Sequence, residues 1–384
     1  MLVRHIKLKN WRNFRSVDVA LGERVFLAGP NASGKSNFLD AFRFLRDIST
    51  PGGGLQKAVS DRGGLSKIRC LAAREHPDVE IGIELRDSAN GGVDWKYEIG
   101  IKQQARGYRS PFLAYEKVWN AGEVVLDRPD GLDKSDEALL TQTHLEQISS
   151  NRKFRPVARF LESVRYLHLV PQLVRHSDEY SGPGVTGDPF GRNFLELVAR
   201  TPKKVRGSRL KKIEAALLVA VPQIKALTLV QEIGTPHLEA DYKHWRATGA
   251  KQREDQFSDG TLRLIGLLWA MLEGDALLLL EEPELSLNSG IVSKLPALFH
   301  KVQREKKKLS RQIILSTHSG DLLSDRGIGA EEVLVLTPGP EGTSVEVASS
   351  IRAVVDLLDS GLTIAEAVLP RTIPANIHQL SFFE

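Results

Sequence analysis

Leu2, Ile6 and Leu8 alternate with His5 and Lys7, a period of two that predicts a strand over residues 2–9. Val17–Leu21 reads as a second strand, and Arg24–Ala28 as a short apolar third that stops at Gly29. Phe38, Leu39, Ala41, Phe42, Phe44 and Leu45 then fall at helical spacing, predicting a helix over 37–48. Residues 79–85 and 95–101 read as paired strands joined through the turn-rich 88–92, and 112–125 continues the sheet pattern. Asp127–Ser150 is polar and helix-prone. Further along come a strand at 166–170, a Gly/Pro/Asp-rich loop at 181–191, a helix at 209–221 and strands over 227–239.

From Gly260 onward short apolar strands (277–280, 312–316, 333–337) alternate with helices (291–305, 321–326, 353–358). Apolar strands separated by helices predict a parallel sheet covered on both faces. The expected fold is therefore α/β: a mixed or antiparallel N-terminal sheet, a parallel core sheet under helices, and an inserted helical region. The expected boundaries are 1–126, an insertion at 127–165, and 166–384.

Composition narrows the classes. At 384 residues and 41% hydrophobic the chain can bury a substantial core, and a net charge of +4 permits nucleic-acid contact without arguing for it. The single cysteine, Cys70, excludes an internal disulfide framework. The N-terminus lacks the apolar core of a signal peptide, and the apolar run near 265–280 is broken by Glu273, Gly274 and Asp275. A cytoplasmic protein with no membrane segment is expected.

Gly29-Pro30-Asn31-Ala32-Ser33-Gly34-Lys35-Ser36 matches the phosphate-loop pattern in full, between a predicted strand and a predicted helix. Glycines allow backbone N–H groups to converge on phosphates, so Gly29, Asn31, Ser33, Gly34, Lys35, Ser36 and Asn37 are the candidate nucleotide-binding residues. Lys35 would reach the β- and γ-phosphates and Ser36 would ligate Mg²⁺. The strand Leu277–Leu280 delivers Glu281 and Glu282 at its end, where open parallel sheets bind ligands. Glu281 is the candidate metal carboxylate and Glu282 the candidate group that orients the attacking water. Ser258-Asp259-Gly260 opens a helix, with Ser258 as an N-cap whose helix end can also hold a phosphate. His318, just past the strand 312–316, is either a γ-phosphate sensor or a surface histidine in a turn.

Together these pieces resemble the ABC-type ATPase head: Walker A at Gly29–Ser36, signature at Ser258–Gly260, Walker B at Leu277–Glu282, switch histidine at His318, and Leu285-Ser286-Leu287-Asn288 at the D-loop position. The opening Ile6–Phe14 is similar to the start of RecF, SMC and OLD-family heads, and the chain is most similar to the bacterial AAA-labelled predicted ATPases of that branch. The resemblance implies ATP and Mg²⁺ as cofactors. It also implies a homodimer formed head-to-tail on ATP binding, with Ser258, Asp259 and Gly260 of one copy facing Lys35 and Ser36 of the other. Gln172 stands either as the Q-loop residue near the metal or as an ordinary polar loop residue.

The chain departs from the pattern at Ser-Asp-Gly-Thr in the signature and at Glu281 in Walker B. Ser36 and Ser258 lie 222 residues apart, too far for a compact transporter cassette and too close for a long coiled-coil arm. The 66 residues after His318 leave little room for a Toprim nuclease, so a nuclease is expected only as a separate effector protein. The expected role is an ATPase gating a DNA-related or anti-phage defence effector; the rival is a non-hydrolysing ATP-sensing scaffold. The basic runs 203–212 and 301–311 are either non-specific DNA contacts or solvated helix faces.

Overall fold

The computed structural model describes residues 1–73, 77–87, 93–104, 110–176, 188–243, 250–305 and 311–373. The turn 88–92, most of the loop 181–191 and residues 306–310 of the second basic run lie outside them.

The early alternation produces what it predicts. β1 (Leu2–Trp11) and β2 (Phe14–Ala20) form an antiparallel hairpin closed by Arg12-Asn13, with Arg12 at φ 55. β3 (Arg24–Ala28) then leaves for a second sheet. β4 (Val79–Asp87), β5 (Val93–Gln103), β6 (Pro111–Asn120) and β7 (Glu123–Arg128) complete an antiparallel sheet in the order β2-β1-β4-β5-β6-β7. Ile6, Leu8, Ile81, Ile83 and Ile99 bury its inner face. The later strands are β8 (Arg165–Leu167), β9 (Ile224–Glu232), β10 (Thr235–Tyr242), β11 (Ala250–Arg253), β12 (Leu278–Glu281), β13 (Ile313–Thr317), β14 (Val333–Gly339) and β15 (Gly342–Val347).

The chain divides into two compact units: Met1–Val164 with Asp275–Leu279 and Lys306–Glu384, and Arg165–Gly274 with Leu280–Glu305. In the first unit the second sheet runs β15-β14-β3-β13 and continues onto the first residues of β12, where Leu278 N donates to Gln312 O at 2.9 Å. β3 lies parallel to β13 and β14, and β15 is antiparallel to β14. Ile313–Leu315 and Val333–Leu336 are buried without a break, as a sheet covered on both faces requires. The helix Lys35–Ser49 buries Phe38, Leu39, Phe42, Phe44 and Leu45. Trp11 meets Phe44 with ring centroids 5.2 Å apart, and Phe14 meets Phe38 at 6.3 Å.

The polar stretch after β7 holds only short pieces: a helix Gly131–Ser135, 3₁₀ turns Glu137–Thr141 and Ser150–Phe154, and a helix Arg155–Ser163. Side chains of Asp130, Asp136 and Thr143 bond nearby backbone N–H groups, offering the chain an alternative to a long helix. Arg128 and Glu116, both buried, hold the base of this stretch.

The second unit packs helices Phe194–Arg200, Lys203–Ala220 and Asp259–Leu272 with the antiparallel sheet β11-β10-β9. Its core includes Leu195, Ile213, Leu217, Leu238, Ile265 and Trp269. The basic run 203–212 opens a helix that starts earlier than the 209–221 predicted. The predicted helix 291–305 is two pieces, Ser289–Val292 and Leu295–Glu305, because Pro296 lacks the N–H needed to continue the first. Among the described residues no helix is long and apolar enough to cross a membrane.

Candidate active site

β3 ends at Ala28, and the chain turns through Gly29–Ser33 into the helix Lys35–Ser49. Ala32 takes φ 61, a left-handed backbone that costs a residue with a Cβ about 1–2 kcal/mol. Gly34 takes φ 96, and a Cβ there would come within 2.6 Å of three atoms of the Asn13 amide, so glycine is required twice over. Lys35 is buried, and its Nζ donates to the carbonyls of Gly29 (2.9 Å) and Pro30 (3.0 Å). Ser33 is fully buried, yet its hydroxyl finds no hydrogen-bond partner among the described residues. The helix has no side-chain cap at Gly34 and no acidic residue in its first turn.

An uncapped helix start and an orphaned buried hydroxyl both suit an anion, and the ammonium of Lys35 stands on the same loop. A nucleotide's phosphates fit that set. Asn31 and Ser36 are exposed at the same loop, and Asn37 lies in the first turn of the helix. The Ser36 hydroxyl suits Mg²⁺ held jointly with phosphate oxygens, a hard cation among oxygen ligands.

Parallel register brings one further residue to this edge. Thr317 of β13 pairs with Ala28 of β3, so His318 follows its strand where Gly29 follows β3. Thr317 is buried, and its hydroxyl accepts from Ser319 N at 3.0 Å; His318 is exposed.

The acids and the signature turn belong to the second unit. β12 carries the chain into it at Leu280. The Tyr166 hydroxyl donates to Glu281. Glu282 sits at φ 44 and Ser286 at φ 61, both left-handed without glycine, the kind of local strain that collects at functional sites. Ser258 caps the helix Asp259–Leu272, accepting from Thr261 N at 3.2 Å, and is itself exposed. A Cβ on Gly260 would stand 2.5 Å from the Ser286 carbonyl, so the signature turn rests directly on the D-loop position. Asn288 caps the next helix through Gly290 N at 2.9 Å.

Asp259 is held by Arg175 at 2.5 Å and by the Gln172 amide at 3.2 Å; Arg175 also donates to Phe257 O at 2.6 Å. Gln172 thus spends its amide on the signature turn. Burial pulls the Arg263 guanidinium below its ordinary range, while Asp259, Glu282 and Glu284 nearby work against that shift. Arg263 follows Asp259 by four residues, so helical spacing alone could have flagged it. Tyr166 and Arg175 have no such signal, because they meet their partners across 115 and 82 residues of chain only once folded.

Residues 24–325 match the family described as "AAA domain, putative AbiEii toxin, Type IV TA system". No curated protein matches the chain. Among solved structures it is similar to an SMC head bound to the C-terminal winged-helix domain of ScpA: TM-score 0.55, 13% identity, covering 90% of this chain and 98% of that one. It is also similar to the Pyrococcus furiosus SMC head with an extended coiled coil, bound to the C-terminal domain of ScpA (TM-score 0.51, 13% identity, 93% and 99% covered). At that identity the likeness is one of fold, and the fold is that of an ABC-type ATPase head.

Proposed function

The chain belongs to this AAA-domain family, and from that premise we propose that it binds and hydrolyses ATP as a head-to-tail homodimer. The observation that carries the reading is the phosphate loop, where Lys35, the Ser33 hydroxyl and an uncapped helix start stand ready for an anion. Lys35 would exchange its carbonyl partners for phosphate oxygens, a stronger charge-assisted bond. Mg²⁺, if bound, would offset phosphate charge, with Ser36 and Glu281 as its candidate protein ligands; Gln172 would have to give up its bond to Asp259 to come near it. Glu282 would hold the attacking water in line, and His318 would read the γ-phosphate. Ser258, Asp259 and Gly260 of the second copy complete the site through their helix start.

The output is the gating of an effector, DNA-related or of the anti-phage defence type, such as a separate nuclease. The helix Lys203–Ala220 supports non-specific DNA contact. Lys203 and Lys204 occupy its first turn, where acids are favoured, and no acid offsets them there. One observation favours the alternative of a non-hydrolysing ATP-sensing scaffold: the Tyr166 hydroxyl already engages Glu281. Phosphate release separates the two readings. Steady release by wild type, lost in Glu282→Gln and in Lys35→Ala, is expected of the enzyme. ATP binding without release from wild type would establish the scaffold instead.

A further inference from the structure

The turn between β1 and β2 reaches the phosphate loop from outside its motif. The Asn13 Nδ2 donates to Ser33 O and to Thr343 Oγ1, each at 2.8 Å, and Oδ1 accepts from Asn37 Nδ2 at 2.8 Å. Flipping the amide would set oxygen against the Ser33 carbonyl, so the network fixes its orientation. The Asn13 carbonyl in turn accepts from Thr343 N at 2.8 Å. Next to it, the Trp11 indole donates to Asn37 O at 2.7 Å. Gly34 lies against the same amide, closer than any side chain would allow.

We propose that Asn13 is the positioning residue of the phosphate loop, and that through Thr343 it ties the loop to the β14–β15 hairpin. One side chain bonds the carbonyl two residues before the helix, a residue in the helix's first turn, and a strand 330 residues away. The Ser33 carbonyl, which no phosphate would occupy, is thereby held while the backbone N–H groups stay available, and the Asn37 side-chain amide is tied back to Asn13. Thr343 is buried, so its hydroxyl is a fixed partner rather than a surface contact. The inference rests on the nucleotide reading of this loop, and a displacement of the β14–β15 hairpin would be felt there as a change in affinity.

The test is Mg-ADP affinity of the full chain, measured with the melting temperature in the absence of nucleotide. Asn13→Ala should bind about tenfold more weakly, the cost of one lost hydrogen bond and an unpaired carbonyl. Thr343→Val, which keeps the shape and removes the hydroxyl, should lose several-fold, and Thr343→Ser should bind as wild type does. The double variant Asn13→Ala/Thr343→Val should be no weaker than Asn13→Ala alone, because the two residues act through one bond. A merely structural role would lower the melting temperature and leave the affinity of the folded protein alone. Wild-type affinity in both Asn13→Ala and Thr343→Val overturns the proposal and leaves the nucleotide site standing. If Asn13→Ala does not fold, the Val/Ser pair at 343 decides. Absence of Mg-ADP binding by wild type removes the nucleotide reading and this inference with it.

Discussion

Two buried polar regions of the first unit have opposite accounts of their hydrogen bonds. At the base of the inserted stretch, Glu116 accepts from Arg128 (3.1 Å), His144 N (2.7 Å), Leu145 N (3.0 Å) and the Tyr97 hydroxyl (3.1 Å). Arg128 also donates to Asp133 (2.6 Å) and to the carbonyls of Leu139 and Gln142. At the phosphate loop, Ser33 is equally buried but its hydroxyl has no partner among the described residues, and Lys35 folds back on its own loop. A buried polar group without a partner costs about 1–3 kcal/mol, a cost that a bound phosphate would relieve at Ser33. Saturation marks a structural hub. Incompleteness at the phosphate loop, flanked by the full network of Asn13, is what the proposed nucleotide site would require.

Removing charge should therefore act on stability in one region and on binding in the other. Arg128→Ala strands Glu116 in the interior and should cost about 3–5 kcal/mol in urea unfolding, with nucleotide affinity of the folded fraction unchanged. A loss of affinity as large as the loss of stability would erase the distinction. Lys35→Ala should do the reverse: Mg-ATP affinity falls on the order of a hundredfold (about 2.7 kcal/mol), while the unfolding midpoint without nucleotide barely moves. Ser33→Ala sharpens the contrast, since it deletes an orphan. The apo protein should be as stable as wild type or more stable by up to about 1 kcal/mol, while the stabilisation added by Mg-ATP shrinks. Apo destabilisation would mean that the hydroxyl is already satisfied.

The smallest effect concerns pH. Hydrogen bonds from Arg128 hold the Asp133 carboxyl below its ordinary value of 3.8. Its contribution is thus full above 3.8 and is lost as pH falls through the depressed folded value. Burial pushes Glu116 the other way, so the folded state holds that proton more tightly and gains as pH falls through the raised value. The destabilisation by Asp133→Asn, measured in urea, should be larger at pH 6 than at pH 3, and an equal cost at both would remove Asp133's ionised form from the hub.

The phosphate loop was legible because everything it needs is local. A strand, eight residues of motif and a helical repeat follow one another in sequence, and the structure begins the helix at Lys35, two residues before the periodicity shows it. The place of Glu281 and Glu282 at the end of an apolar strand was legible for the same reason. Asn13 reads only as a turn residue, because its partner Thr343 joins it through folding. β15 was missed because Gly342, Thr343 and Ser344 give it a weak strand pattern and β14 supplies its pairing. The helices Leu55–Ser60 and Leu65–Ile68 are too short to show a period after the break at Pro51–Gly54. The hub around Arg128 was read only as a polar insertion, since charge looks solvated in a sequence until burial and partners are known.

The most direct test of the central claim is the solution mass of Glu282→Gln with and without Mg-ATP. A site shared between two copies predicts a monomer that becomes a dimer only when ATP is present, with the shift abolished by adding Lys35→Ala. A mass that ATP leaves unchanged would contradict it.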